Sequence, residues 1–261
     1  MYTTFSRVSK RIVIICLVVL MSYSVIGIPA SVQAAELSPT RKVAFDKIAN
    51  KAEPTLRTSL VSAYSQVLDL QKQQLDWEAK IKAVYYRNQE ELSKVKQRIK
   101  GINERKLQQL ESKLAKTQAS YEPLFAIYRT MDKKSTKLSS TKIAVELARQ
   151  DIRSQQEQIK AAKADRTAKT KQIRAILAQA DPIRSRIKAE KSKITKVNKQ
   201  KTTKWTSLNT EIKKEQPKQM NSSLSALVNY SSQIIQHLKT THAYEIEISK
   251  LIEKANSSIN D

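Results

Sequence analysis

From Val145 to Lys201 every third or fourth residue falls on one continuous stripe, and twelve of its seventeen positions are apolar. Val145, Ala148, Ile152, Ile159, Ala162, Ile173, Ile176, Ala180, Ile183, Ile187, Ile194 and Val197 keep the phase, while Gln155, Arg166, Lys169, Glu190 and Lys201 take the remaining steps. An alternation of three and four sustained this far is the pattern of a helix that buries one narrow seam against a partner helix. An earlier run keeps the same alternation through Leu56, Leu60, Ala63, Val67, Leu70, Gln74, Trp77, Ile81, Val84 and Asn88. It resumes through Leu92, Val95, Ile99 and Ile102 after a one-residue slip, and after another through Leu107, Leu110, Leu114, Tyr121, Leu124, Tyr128 and Met131. Such slips unwind a supercoil locally without ending it, and Gly101 beside the second predicts a kink.

Proline and capping residues punctuate these runs. Ser38-Pro39 sets an N-cap before a proline at the first helical position, where a missing N–H costs nothing. The polar stretch from Asp132 to Ser140 predicts the bend between two antiparallel arms, about 55–131 and 141–216. Asp181-Pro182 restarts a helix without changing the facing of the stripe, and Gln216-Pro217 followed by Asn221-Ser222-Ser223 opens a last helix over about 222–256. The apolar residues of that helix, Leu224, Leu227, Val228, Ile234, Ile235, Leu238, Ile246, Leu251 and Ile252, form a wider face that suits two neighbours. The fold class expected is all-α: a long antiparallel coiled-coil hairpin with a three- to four-helix base and no β-sheet. Residues 35–261 would form one elongated domain, with its base at 39–75 and 183–252 and a two-stranded arm over about 76–180. The seams are expected to close within one chain as a monomeric hairpin, with a parallel dimer as the alternative.

The first 34 residues read as a signal peptide. Arg7, Lys10 and Arg11 give a basic start, Ile12 to Ile28 is apolar, Gly27 and Pro29 break the run, and Val32-Gln33-Ala34 predicts cleavage after Ala34. Secretion or association with the cell envelope follows; the alternative is a membrane tether through an uncleaved signal anchor, because the run approaches the roughly 20 residues of a span. Ile15 before Cys16 excludes lipidation, and no LPxTG-type sorting signal is present. Beyond Cys16 the chain has no cysteine, so disulfides and thiolate chemistry are excluded. One glycine and five prolines after residue 34 mean few turns and long helices.

Charge adds the second theme. Lys and Arg number 48 against 24 Asp and Glu, a formal net charge of +24. Residues 151–218 hold 19 of the cations and 7 of the acids, whereas 219–261 hold 3 and 4. Between Arg184 and Lys204 lie Arg184, Arg186, Lys188, Lys191, Lys193, Lys196, Lys199, Lys201 and Lys204 with Glu190 as the sole acid, a candidate polyanion-binding ridge. Uncompensated charge weakens a folded chain through self-repulsion and is relieved by an anionic partner. For an exported protein that partner is an anionic cell-wall polymer or a membrane surface held electrostatically. Nucleic acid without sequence specificity is a further partner class, though Trp205 alone would supply stacking near the ridge. A scaffold or adaptor reading has the seams recruit another helical protein, and the bland reading makes the ridge solubilising surface. A membrane-active toxin would need an apolar hairpin that residues 35–261 lack.

Enzymatic chemistry finds no purchase. The sequence has no G-x-S-x-G elbow, no H-E-x-x-H and no glycine-rich phosphate loop. His237 and His242 stand about 140° apart on a helix, so with Glu245 and Glu247 they are expected to be solvated histidines and not metal ligands. No catalytic residue, metal or cofactor is expected. Trp77 and Trp205 read as packing residues. Of the polar steps in the stripe, Lys169 and Lys201 are expected to snorkel, and Arg166 and Glu190 to pair with opposite charges on the first arm.

Overall fold

The computed structural model describes residues 37–132 and 136–260. The segment read as a signal peptide lies outside the described residues. Six helices follow in order: α1 (Pro39–Lys51), α2 (Pro54–Lys100), α3 (Glu104–Thr130), α4 (Leu138–Ala178), α5 (Ala180–Lys213) and α6 (Pro217–Asn260). The protein is all-α, and no strand occurs among the described residues. Prolines open α1, α2 and α6 at the first helical position, where the ring fixes φ for the helix and no intrahelical donor is lost. Ser38 makes no side-chain cap; its carbonyl accepts the first helical bond from Lys42 N at 2.8 Å.

The chain gathers into two compact units. The first takes the described residues up to Ala79 together with Thr195–Gln236, and so contains α1, the start of α2, the end of α5 and the start of α6. Its core includes Phe45, Leu60, Val67, Trp205, Leu208, Met220, Leu224 and Leu227. Beyond Lys201 the stripe shifts by one residue and continues through Trp205, Leu208 and Ile212, all buried. On α2 the buried positions are Leu60, Tyr64, Val67, Gln71 and Gln74, while Leu56, Ala63 and Leu70 of the expected seam are half-buried. The difference follows from α1, whose Phe45 ring sits 5.2 Å from that of Tyr64: a helix with neighbours on two sides buries a wider arc than a single seam.

The second unit takes Lys80–Ile194 and the chain from His237 onward. Val95 of α2, and Ile102 in the break that follows it, meet Ile173, Ile176, Ala180, Ile183 and Ile187 from α4 and α5, and Ile248, Ile252 and Ala255 from α6. Three helices therefore share a core at levels where a two-stranded arm was expected, because α6 runs on to Asn260 with apolar residues to match. Beyond Ile102, among the described residues, α3 and α4 form a pair closed by Leu107, Leu110, Leu114, Ile159 and Ala162. Their antiparallel register is fixed by Gln155 Nε2 donating to Thr117 Oγ1 at 3.0 Å and Tyr121 Oη donating to Asp151 Oδ2 at 3.3 Å.

The sequence breaks have distinct structures. At Gly101 the helix does not merely kink; it ends at Lys100 and restarts at Glu104. The Arg166 guanidinium donates to the Lys100 carbonyl at 2.7 Å, and Asn103, left-handed at φ 58°, donates from Nδ2 to Asp165 Oδ2 at 2.7 Å. Carbonyls left without helical partners at a C-terminus are thus satisfied by a cation that also suits the helix dipole. At Gln179 the helix is interrupted, yet Ile176, Ala180 and Ile183 all stay buried, so the stripe keeps its facing. At the end of α5, Glu215 is left-handed at φ 53°, and Gln216 N donates to Glu211 O at 3.0 Å. That is the helix-ending geometry glycine favours, and a residue with a Cβ is strained by roughly 1 kcal/mol there. Glu215→Gly should accordingly raise the urea midpoint, by about 0.5–1 kcal/mol in stability; an unchanged or lower midpoint would show that Glu215 bears no such strain.

Candidate polyanion-binding surface

The cations of the proposed ridge all stand on α5, whose inner face is spent on Ile183, Ile187, Ile194 and Val197. In the second unit, Arg186, Lys188 and Lys193 are exposed, and Arg184 and Lys191 are half-buried. In the first, Lys196 and Lys199 are exposed, Lys204 is half-buried and Lys201 is buried. At 100° per residue the five exposed cations spread over about 160° of the helix surface, so they cover the outer side of α5 broadly and do not line one narrow row. Several already have partners: Arg184 contacts Asp181 at 3.0 Å, Lys193 contacts Glu190 at 2.7 Å, and the Arg186 guanidinium lies 6.0 Å from the Tyr244 ring. Among the described residues, Lys188, Lys196 and Lys199 form no salt bridge.

Lys201 corrects the sequence reading twice. It is 6% exposed, and its Nζ donates inward to Gln74 Oε1 at 3.2 Å, so it neither snorkels nor offers its charge to a polyanion. Gln74 in turn donates from Nε2 to Glu78 Oε1 at 2.9 Å. Burial pushes the Lys201 ammonium down to about 8, with the nearby Glu78 carboxylate resisting the shift. Lys169 is half-buried.

A second correction concerns the acid on the stripe. Glu190 pairs neither with α2 nor with α3: its Oε1 accepts from Lys193 one turn on, and its Oε2 lies 2.6 Å from His237 Nδ1 on α6. Burial pushes the Glu190 carboxyl up, but the hydrogen bonds from Lys193 and His237 outweigh it and hold the group below the ordinary carboxylate value. Arg166 likewise meets a backbone carbonyl in place of an acid, because the break at Gly101 exposes one opposite it. His237 is therefore a half-buried partner of Glu190, not a solvated residue. Nearby, Asn88 Nδ2 donates to Glu245 Oε2 at 3.1 Å and to the Glu245 carbonyl at 2.9 Å, and Ser249 Oγ donates to Asn88 Oδ1 at 2.6 Å. Burial raises the Glu245 carboxyl, against the opposing pull of Asn88, Lys191 and Arg184. This polar layer joins α2, α5 and α6 inside the second unit. It has the composition of a register-fixing device, with Ser249 donating to the Asn88 amide oxygen and to the Glu245 carbonyl.

Trp205 is buried in the first unit's core and Trp77 is half-buried. Among the described residues no group of three His, Cys, Asp or Glu side chains is placed to hold a metal. No described helix is long and apolar enough to cross a membrane.

One feature escaped the sequence reading. Between α3 and α4 runs an open groove of about 520 Å³ whose lining includes Phe125, Tyr128, Arg129, Arg149, Ile152 and Arg153. Ile152 is the one apolar member of the long stripe that is not buried. The available signal was the pair Arg149 and Arg153, one turn apart beside that residue, but three cations distributed over two helices are invisible until the register is known.

No protein-family model matches the chain, and neither a curated protein nor a solved structure shows significant similarity to it.

The energetic consequence of Lys201 is measurable. Its folded-state value near 8 lies below the ordinary 10.5, so between those pH values the unfolded chain binds more protons and stability rises with pH. Lowering from 10.5 to about 8 corresponds to about 3 kcal/mol, present as a cost at pH 7 and relieved by pH 10.5. Lys201→Met should raise stability at pH 7 by roughly 1–3 kcal/mol and abolish the gain that the wild type shows between pH 8 and 10 in urea titrations. A less stable variant at pH 7 would mean that the buried ammonium is net stabilising.

Proposed function

We propose that this protein is an exported, non-enzymatic, cationic helical protein that holds an anionic envelope polymer or surface electrostatically. The observation that carries this reading is the accessible, unpaired character of Lys188, Lys196 and Lys199 on α5, within a chain of net charge +24. A carboxylate partner would have neutralised such charges had they only to stabilise the fold; left open, they gain from displacing counterions on a polyanion. Export rests on the signal-like residues 1–34. The reading requires no reaction. A second reading, recruitment of another helical protein, is favoured by Ile143 and Leu147, which stand one turn apart on α4 and are 64% and 62% exposed.

Sedimentation of the purified protein with isolated cell walls, stripped or not of their anionic polymers, tests the proposal. Binding should require the polymers and fall steeply with salt. Changing Lys188, Lys196 and Lys199 to Gln should lower the slope of log affinity against log salt by about two. Binding indifferent to salt, or to all three substitutions, would contradict the electrostatic reading and direct attention to the exposed pair on α4.

A further inference from the structure

The groove between α3 and α4 combines two chemistries that the α5 surface keeps apart. Phe125, Tyr128 and Ile152 provide an apolar and aromatic lining, and Arg129, Arg149 and Arg153 provide guanidiniums at its edge. The guanidiniums are accessible, with side chains 65%, 52% and 72% exposed. Glu122 holds Arg129, whereas Glu146 reaches Arg149 only at 3.5 Å and Arg153 only at 3.9 Å. Contacts that long between exposed groups are weak, so Arg149 and Arg153 are free to exchange Glu146 for a stronger anion. A guanidinium fork binds phosphate through two parallel hydrogen bonds, which an ammonium cannot do.

The apolar lining needs its own explanation. The stripe buries every other apolar member it has from Val145 to Val197, yet at Ile152 the facing helix leaves space. An aromatic surface beside clustered arginines suits a ligand with an apolar face and an anionic group next to it. We infer that this groove binds a phosphorylated sugar unit of an anionic polymer, with the C–H face of the sugar against Tyr128 and Phe125 and the phosphate on Arg149 and Arg153. The groove is open along its side, so a free small molecule would bury too little of its surface to bind well. A polymer overcomes this, because neighbouring units on other cationic surfaces raise the effective concentration of each unit at the groove. The inference rests on the proposed polyanion binding and adds to it a chemical preference that charge alone does not give.

The test compares three soluble polymers of matched charge, at fixed salt, against the purified protein: glycosylated poly(glycerol phosphate), inorganic polyphosphate and oligo-thymidylate. The wild type should prefer the glycosylated polymer over polyphosphate by roughly tenfold, the scale of about 1.4 kcal/mol from the sugar against the aromatic lining. Arg149→Gln with Arg153→Gln should lose most of that preference, and Tyr128→Leu should reduce it, while the Lys188, Lys196 and Lys199 substitutions weaken all three polymers alike. Unfolding midpoints of the arginine variants, which alter only exposed side chains, should match the wild type. Equal affinity for polyphosphate and the glycosylated polymer would overturn the groove and leave the electrostatic function standing. Preference for oligo-thymidylate would replace sugar by nucleobase as the occupant. Failure of the wild type to bind any of the three would overturn both readings.

Discussion

A helix stripe of one apolar residue every three or four positions cannot be left in water, and most of this structure follows from what covers it. The stripe on α4 and α5 remains in phase from Val145 to Lys201, through the interruption at Gln179. Within the second unit it is covered by α3 alone near Leu107, and by α2 and α6 together near Ile102 and Ile252. Within the first unit its continuation at Trp205, Leu208 and Ile212 enters a core that also includes α1. Because the α3–α4 seam is narrow, few of its residues are committed to the interior, and the long solvated faces are left to carry charge.

The polar positions on the stripe show how such a seam is specified. Apolar layers alone tolerate sliding by a heptad, since one leucine or isoleucine replaces another with little loss. Lys201 with Gln74, Glu190 with His237, and Gln155 with Thr117 each match at one register only. Burying charged groups costs stability even when they are paired, and the downward shift of Lys201 is a direct expression of that cost. The same residues withdraw charge from the surface. Lys201 belongs to the interior and Glu190 offsets the exposed Lys193, so the uncompensated exposed field of α5 is carried by Arg186, Lys188, Lys196 and Lys199.

Periodicity made the helices legible because a buried stripe and a solvated back face differ at every step. Fourteen of the seventeen stripe positions are buried, leaving Ile152, Arg166 and Lys169 partly exposed. Neighbour number was not legible: the wider burial on α2 at Tyr64 depends on α1, and the three-helix level at Val95 and Ile102 depends on how far α6 runs. Polar partners were misread for a similar reason. Arg166 was expected to find an acid, and the nearest acceptor turned out to be a carbonyl released by the break at Gly101, something no residue identity announces. The groove beside Ile152 depends on the register of α3 against α4, which side chains such as Thr117 and Gln155 set only after the hairpin has closed.

Closure of the α3–α4 seam within a single chain underlies both the polar registers and the groove, and it can be tested without substitution. Lys163 Nζ lies 2.9 Å from Glu111 Oε1, with both side chains more than half exposed. A zero-length carbodiimide should join them. In protein refolded from an equal mixture of ¹⁴N- and ¹⁵N-labelled chains, mass spectrometry of the joined peptides should find Glu111 and Lys163 always carrying the same label. Peptides of mixed label would show that the seam is shared between chains, and absence of the Glu111–Lys163 link would show that the register itself is wrong.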